Sequence, residues 1–358
     1  MKFKVIISLL ITSSLLIGCT SYLNKEEISA YKTRNIEENL SIVTTAIIEE
    51  PEEVENTSTY SMNTIISTIN NLTENYKDNI GLYYYNFNTK DEYSFNEDKY
   101  FVAASLKKVP LAMQVLDKVQ NVELTIDTEI TYNHETDKSS GTGTLQYEKY
   151  IGSRPISELI ELSIVESDNI AYNMLNRICN NTLREYTRNL VDDYSIPDGE
   201  HTKLTAKQNF KILYNLYENP NNNEHYPLLI DLLKQTSFHD RLDKYIPYDN
   251  VAHKIGSYYR YYHDAGIIFG KENYILVILT KDIGELVSTS TSQQDSEERN
   301  LVDWGDEACD LIGRISKYIY DIVETEEESF DEQEKYKPLV EPSTNTTDDL
   351  GLLNSIIK

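Results

Sequence analysis

The sequence has 358 residues, 40% of them hydrophobic, so it can build at least one substantial core. Its 33 Lys and Arg residues stand against 59 Asp and Glu residues, which gives a formal net charge of −26. A field of that sign repels nucleic acid and anionic lipid headgroups, so it excludes both as attractive partners and indicates an acidic, solvated surface.

The N-terminus has the pattern of an export signal. Lys2 and Lys4 precede an apolar stretch, residues 5–17, that is short for a transmembrane span and typical of a signal peptide. The stretch runs into the tetrapeptide Leu-Ile-Gly-Cys at 16–19, which resembles the lipobox of bacterial lipoproteins. The resemblance implies that residues 1–18 are a lipoprotein signal peptide and that the Cys19 thiol is lipidated. The protein would then be exported and anchored on the outer side of the cell membrane; an ordinary signal peptide that contains a cysteine is the alternative.

Acidic segments flank the part of the chain that can form a core. Residues 19–57 lack strong periodicity and contain the run Glu-Glu-Pro-Glu-Glu-Val-Glu at 49–55. Because like charges and proline disfavour packing, this segment is predicted to be a disordered acidic tether. Residues 325–358 begin in a glutamate-rich stretch and are predicted to be a disordered acidic tail. A folded domain is therefore predicted over residues 58–324.

Hydrophobic periodicity predicts both helices and strands in this domain. Helices are predicted at 60–76, 101–119, 205–217, 226–234 and 300–322, with several short ones between 147 and 190, and strands at 80–87, 92–95, 251–256, 263–269 and 274–280. Strands near both ends, with helices between and outside them, predict an α+β fold with one antiparallel sheet of about five strands. The terminal helices would cover the sheet, and an all-helical subdomain would lie beside it.

Cysteines and histidines give no sign of a metal centre. The sequence has no H-E-x-x-H or Cys-x-x-Cys spacing and no glycine-rich phosphate loop, so neither a metal nor another cofactor is predicted. Cys179 and Cys309 fall in predicted helices far apart in sequence. Two buried free thiols are predicted, and a single disulfide between them is the alternative.

The first motif with catalytic potential is Ser105-x-x-Lys108, in the predicted helix 101–119. Residues three apart share a helix face, so the amine would lie beside the hydroxyl. Burial would lower the pKa of the amine and let it take the serine proton, which a serine nucleophile needs. An N-cap serine followed by a surface lysine is the alternative interpretation.

Two further motifs follow. Ser167-Asp168-Asn169 lies at a predicted helix junction, where a hydroxyl can relay a proton and an amide can bind a substrate carbonyl; a plain N-cap is the alternative. Lys254-Ile255-Gly256 lies on a predicted strand, where lysine can hold an anionic group and glycine lets a substrate backbone approach. An edge-strand lysine that discourages aggregation is the alternative there.

The order of these motifs, the spacing between them and their helix, helix and strand contexts identify a protein family more specifically than any single motif does. Together they resemble the S-x-x-K, S-D-N and K-T-G set of class A β-lactamases and penicillin-recognising serine enzymes. Residues 140–146 (Ser-Gly-Thr-Gly-Thr-Leu-Gln) and 263–268 (His-Asp-Ala-Gly-Ile-Ile) are also similar to this family, and the resemblance covers residues 58–324.

The resemblance implies a role for each matching residue. Ser105 would be the acylated nucleophile and Lys108 its proton acceptor. Ser167 would pass a proton to the leaving nitrogen with help from Lys254, and Asn169 would bind the substrate amide. Gly256 would let the substrate backbone come close to the strand. The backbone N–H groups of Ser105 and Ser257 would form the oxyanion hole.

Two departures from the family pattern bear on function. Ile255 replaces a hydroxyl residue that would bind the substrate carboxylate. Arg260 or the hydroxyls of Ser257, Tyr258 and Tyr259 would have to substitute, and Arg260 is equally compatible with a solvated hairpin charge. The segment 191–202 lacks the E-P-x-x-N pattern that activates the deacylating water. Glu200 is its only glutamate and a possible deacylation base, although a turn residue is the simpler interpretation.

These features favour a serine acyl hydrolase that opens β-lactams, with slow deacylation. A carboxypeptidase or esterase that acts on D-alanyl peptides of peptidoglycan is the second hypothesis, and a non-catalytic cell-wall-binding lipoprotein is the third. The expected partners are thus a small-molecule or peptidoglycan-derived acyl substrate and, through Cys19, the membrane.

Overall fold

The computed structural model describes residues 61–284 and 293–325, and for residues 293–304 it describes the helical backbone alone. The predicted signal peptide, the tether at 19–57 and nearly all of the tail at 325–358 lie outside the described residues. Among the helices that are described, none is long and apolar enough to cross a lipid bilayer.

Nine helices and nine strands occupy the described ranges. The helices are α1 Met62–Thr73, α2 Lys108–Gln120, α3 His134–Asp137, α4 Ile156–Ile164, α5 Asn169–Ile178, α6 Leu183–Leu190, α7 Ala206–Glu218, α8 Tyr226–Lys234 and α9 Gln293–Glu324. The strands are β1 Ile80–Asn86, β2 Glu92–Phe95, β3 Phe101–Val102, β4 Glu129–Thr131, β5 Ser153–Pro155, β6 Lys203–Leu204, β7 Val251–Tyr258, β8 Tyr261–Ile268 and β9 Tyr274–Lys281. Short 3₁₀ turns include Ala104–Lys107, directly before α2.

Five strands form the central antiparallel sheet in the order β2-β1-β9-β8-β7. The middle strand β9 is buried from Tyr274 to Thr280, which explains its continuous apolar run, because a strand covered on both faces gains from hydrophobic residues at every position. The predicted α+β fold with a sheet of about five antiparallel strands is confirmed.

Two hydrophobic cores lie on opposite faces of this sheet. On one face, Ile65 and Ile69 of α1 and Ile312 of α9 pack in one cluster with Leu82 and Ile278 of the sheet. On the other face, residues of α2, α4, α5 and α7 form a larger cluster with the alternate residues of β9. The terminal helices thus cover the sheet, as predicted. The helices between the strands share a core with its other face, where the prediction placed an all-helical subdomain beside the sheet.

One helix prediction is wrong at its start. Residues 101–107 are not α-helical: Phe101 and Val102 pair with β6, and a 3₁₀ turn follows at Ala104–Lys107. His263 of β8 holds this short strand in place, because its Nε2 lies 2.9 Å from the carbonyl oxygen of Val102. Tertiary pairing therefore overrides the helical pattern until Lys108.

Both remaining cysteines are buried and free, in agreement with the prediction of two free thiols. Burial raises the pKa of Cys179 to about 11 and that of Cys309 to about 12, so both are unreactive thiols at neutral pH.

Candidate active site

Ser105 lies in the 3₁₀ turn at the junction of the sheet and the helical layer, where it lines a cavity of about 410 Å³. The residue before it, Ala104, has φ +47°, in the left-handed region that favours glycine. Such strain in a non-glycine residue is kept only when the surrounding packing enforces it, and it is common at functional sites.

Lys108 brings the first two motifs together. Its Nζ lies 3.2 Å from Ser105 Oγ and 3.1 Å from Ser167 Oγ, so one amine contacts both hydroxyl groups. The amine also lies 2.8 Å from Asn169 Oδ1 and 2.5 Å from the Ser167 carbonyl oxygen. The side chain is only 1% exposed, so these protein groups replace its hydration shell.

The environment of Lys108 favours the neutral amine. Burial holds the pKa of Lys108 well below the usual 10.5, and the nearby charges of Lys254 and Lys107 lower it further, against the opposing effect of Asp168. A buried amine with a lowered pKa can accept a proton near neutral pH, which is the property a general base requires.

The Ser167-Asp168-Asn169 segment forms the opposite wall. Asp168 is the N-cap of α5 and is buried; its Oδ1 accepts hydrogen bonds from the backbone N–H groups of Ile170 and Ala171. The N-cap alternative is therefore correct for Asp168, and it coexists with a cavity role for its neighbours. Ser167 has φ +53°, and both Ser167 and Asn169 line the cavity.

The third wall is β7. Lys254 is fully buried, and its Nζ has no hydrogen-bond partner among the described residues. Burial lowers the pKa of Lys254 to about 7; Asp264 opposes this shift and Arg241 adds to it. The alternative of a solvated edge-strand lysine is thus wrong. Ile255 and Ser257 line the cavity directly.

Gly256 has a packing role that the sequence did not indicate. A Cβ atom at this position would lie 3.0 Å from the Ala103 carbonyl oxygen and 3.2 Å from Leu106 Cγ. The absent side chain therefore lets the turn that carries Ser105 pack directly on β7, whereas the prediction assigned the glycine to close approach of substrate.

Arg241 is a site residue that sequence reasoning missed. Its guanidinium is buried and donates hydrogen bonds to Ser257 Oγ (2.6 Å), to the Gly256 carbonyl oxygen (3.1 Å) and to the His263 carbonyl oxygen (2.7 Å). It lies in the turn between α8 and β7 and belongs to no motif. Only the tertiary structure shows that this cation contacts the hydroxyl of Ser257, because no sequence pattern links the two residues.

Lys108, Lys254 and Gly256 do not line the cavity themselves, and two further predicted site residues, Arg260 and Glu200, lie at the exposed surface outside it. Arg260 lies at the β7–β8 hairpin, is about half exposed and pairs with Asp282 (Nε–Oδ1 3.0 Å), which fits the alternative of a solvated hairpin charge. Glu200 is exposed and does not line the cavity, whereas its neighbours His201 and Thr202 do. Of the residues described, none of those that line this cavity carries a carboxylate.

The comparisons with known proteins agree with this architecture. Residues 64–323 match the model of the β-lactamase enzyme family, Beta-lactamase2. The chain is 25% identical over 198 residues to the β-lactamase VEB-1 of Pseudomonas aeruginosa; the match covers 50% of this chain and 66% of that relative, just under two thirds of its length.

Solved structures share the fold at lower identity. A β-lactamase from Sphaerobacter thermophilus has a TM-score of 0.61 at 18% identity, over 74% of this chain and 97% of that one. The L158E mutant of PBP-A, solved as an acyl-enzyme complex with penicillin G, has a TM-score of 0.59 at 19% identity, over 73% and 96%. The family match over most of the described residues leads to one conclusion: this chain belongs to the β-lactamase enzyme family.

Proposed function

We propose that this protein is a serine acyl hydrolase that opens β-lactam rings through an acyl-enzyme on Ser105. The observation that carries the proposal is the position of the Lys108 amine, within 3.2 Å of the hydroxyl oxygens of both Ser105 and Ser167. One base can thus take a proton from the nucleophile and return it toward the leaving group.

The steps follow from these contacts. The neutral Lys108 amine takes the Ser105 hydroxyl proton while Oγ attacks the lactam carbonyl carbon, and the oxyanion binds the backbone N–H groups of Ser105 and Ser257. The C–N bond then breaks; Ser167 gives its proton to the leaving nitrogen and receives one from the Lys108 ammonium. The product is an ester on Ser105, with Lys108 neutral again.

Deacylation is the slow step in this proposal. Hydrolysis of the ester needs a base that activates water; the described lining of the cavity contains no carboxylate, and its one imidazole, His201, lies 3.3 Å through Nε2 from the Tyr258 hydroxyl. The same observation favours a second candidate function, a D,D-carboxypeptidase or esterase that acts on D-alanyl peptides, since such an enzyme need not release a β-lactam acyl group rapidly.

The test is to incubate the full-length protein with a fluorescent penicillin and to follow both labelling and release. We expect covalent labelling of the wild type, no labelling of Ser105→Ala, and release much slower than acylation. An unlabelled wild type would exclude the acyl-enzyme with β-lactams, and rapid release would contradict slow deacylation. Hydrolysis of a D-alanyl-D-alanine peptide by wild type but not Ser105→Ala would support the second candidate.

Ile255 provides a separate prediction about substrate affinity. Replacing Ile255 with threonine places a hydroxyl donor on the cavity wall, and we expect acylation by an anionic penicillin to become about 3–10-fold faster, the effect of one net hydrogen bond. Ile255→Val is the matched control, because valine has the shape of threonine without the hydroxyl. Equal rates for the two variants would show that the added hydroxyl does not reach the substrate carboxylate.

We also propose that the protein is lipid-anchored through Cys19 on the outer side of the membrane, on the basis of the lipobox-like tetrapeptide. In a bacterial host, wild-type protein should partition into the membrane fraction, and Cys19→Ser should move it to the soluble fraction or leave the signal uncleaved. A Cys19→Ser variant that is processed and membrane-bound like the wild type would refute the anchor.

A further inference from the structure

A second cluster of functional side chains lies outside the cavity, where the turn after α8 meets β7. His239 and Asp243 come from this turn, and His253 comes from β7, next to Lys254. One donor atom from each residue, an imidazole nitrogen or a carboxylate oxygen, lies within 4.8 Å of the other two. The spacing of these residues matches no common metal-binding motif, so the sequence predicted no site here.

His253 is oriented as a ligating histidine would be. Its Nδ1 lies 2.8 Å from Asp264 Oδ2 of β8, and that carboxylate is itself fixed by the backbone N–H of Leu242 at 3.0 Å. This contact turns Nε2 toward Asp243, whose Oδ2 lies 3.2 Å away. A carboxylate that holds the outer nitrogen of a histidine is the usual support for a histidine that binds metal through the other nitrogen.

The cluster leaves buried polar atoms without hydrogen bonds. His253 is fully buried and Asp243 is 1% exposed, yet Asp243 Oδ1 has no hydrogen-bond partner among the described residues, and His253 Nε2 has only the 3.2 Å contact with Asp243 Oδ2, which lacks hydrogen-bond geometry. Buried polar atoms of this kind are rare, and an unplaced ion is one of the standard explanations.

His239 keeps the cluster accessible to solvent. The side chain of His239 is 36% exposed, its Nδ1 contacts Asp243 Oδ2, and its ring stacks on Tyr248 with 4.2 Å between the ring centres. An ion could therefore enter from solvent on the His239 side, and the stacked ring is already held near the carboxylate.

We propose that His239, Asp243 and His253 bind a divalent transition-metal ion of the zinc class. Two imidazole nitrogens and one carboxylate oxygen are the ligands that zinc accepts, and three protein ligands leave a further position for water on the exposed side. Because the site ties the turn that holds Arg241 to the strand that holds Lys254, the bound ion would stabilise the edge of the cavity without contacting the substrate.

The test is zinc binding by the full-length protein, purified without a histidine tag and stripped with a chelator. Equilibrium dialysis against micromolar Zn²⁺, followed by metal analysis, should give one ion per chain, and the melting temperature should rise with zinc. His239→Gln should weaken binding at least tenfold; glutamine keeps a polar contact to Asp243, and the position is partly exposed, so the variant should fold.

His134→Gln is the matched control, since His134 is exposed and lies outside the cluster. It should bind zinc like the wild type. Equal zinc affinity in the two variants, or less than half an ion per wild-type chain at saturation, would overturn the proposal and leave the cluster as a buried hydrogen-bond network. A second readout is the melting temperature of His239→Gln, which should no longer respond to zinc. None of these measurements depends on β-lactam chemistry.

Discussion

Lys108→Met is expected to slow acylation of Ser105 by about 10²–10⁴-fold, the usual contribution of a positioned general base. Methionine fills a similar volume but cannot take the hydroxyl proton, and it also removes the contact to Ser167 Oγ. The measurement is the single-turnover labelling rate with a fluorescent penicillin. Lys118→Met is the control, because Lys118 lies on the same helix and pairs with Glu123 at the surface.

The pH dependence of wild-type acylation has a definite sign in this mechanism. The amine of Lys108 must be neutral to act, so the rate should be low in acid and rise as the pH passes upward through its lowered pKa, well below 10.5. A rate that falls as the pH rises over that range, or a Lys108→Met variant that labels like Lys118→Met, would exclude Lys108 as the base.

Asp168→Ala is expected to reduce the free energy of unfolding by about 3 kcal/mol, which for a domain of this size lowers the melting temperature by about 6–12 °C. The carboxylate accepts hydrogen bonds from three backbone N–H groups: two in the first turn of α5 and that of Leu145, at 2.9 Å. Alanine would leave all three donors buried without this partner. Thermal unfolding followed by circular dichroism measures the change.

The control for this variant is Asp127→Ala, since Asp127 is an exposed turn residue. Its stability should change by no more than about 0.5 kcal/mol. A melting temperature of Asp168→Ala equal to that of the control would mean that the loop at 141–145 does not depend on the carboxylate. The structure argues otherwise, because a Cβ atom added at Gly143 would lie only 2.2 Å from Asp168 Oδ2.

The fold and most of the cavity could be predicted because they are encoded locally. The uninterrupted apolar run of β9 predicts a buried strand. The predicted bounds of α8 equal the observed ones, because its apolar residues are regularly spaced and end at Lys234. Each of the three motifs is a short contiguous stretch of sequence that can be recognised by itself. The family resemblance then predicted that they meet in one site.

What could not be predicted depends on contacts between distant segments. The sequence pattern predicts an α-helix from residue 101, and only the pairing of β3 with β6 and the 3₁₀ turn that follows show that it begins at Lys108. Arg241 belongs to an irregular turn, and its importance comes from Ser257, 16 residues later. The lone glutamate in the segment 191–202 could not be placed without the loop geometry, which turns His201 and Thr202 toward the cavity instead.

Arg241 also couples the cavity to the far side of the sheet. The same guanidinium that donates to Ser257 Oγ lies 3.1 Å, through Nε, from Cys309 Sγ of α9. One buried side chain therefore contacts both the strand that forms a cavity wall and the C-terminal helix. Hydrogen exchange in α9 around Cys309, compared before and after acylation of Ser105, is therefore the measurement that tells whether occupancy of the cavity reaches the last helix of the domain.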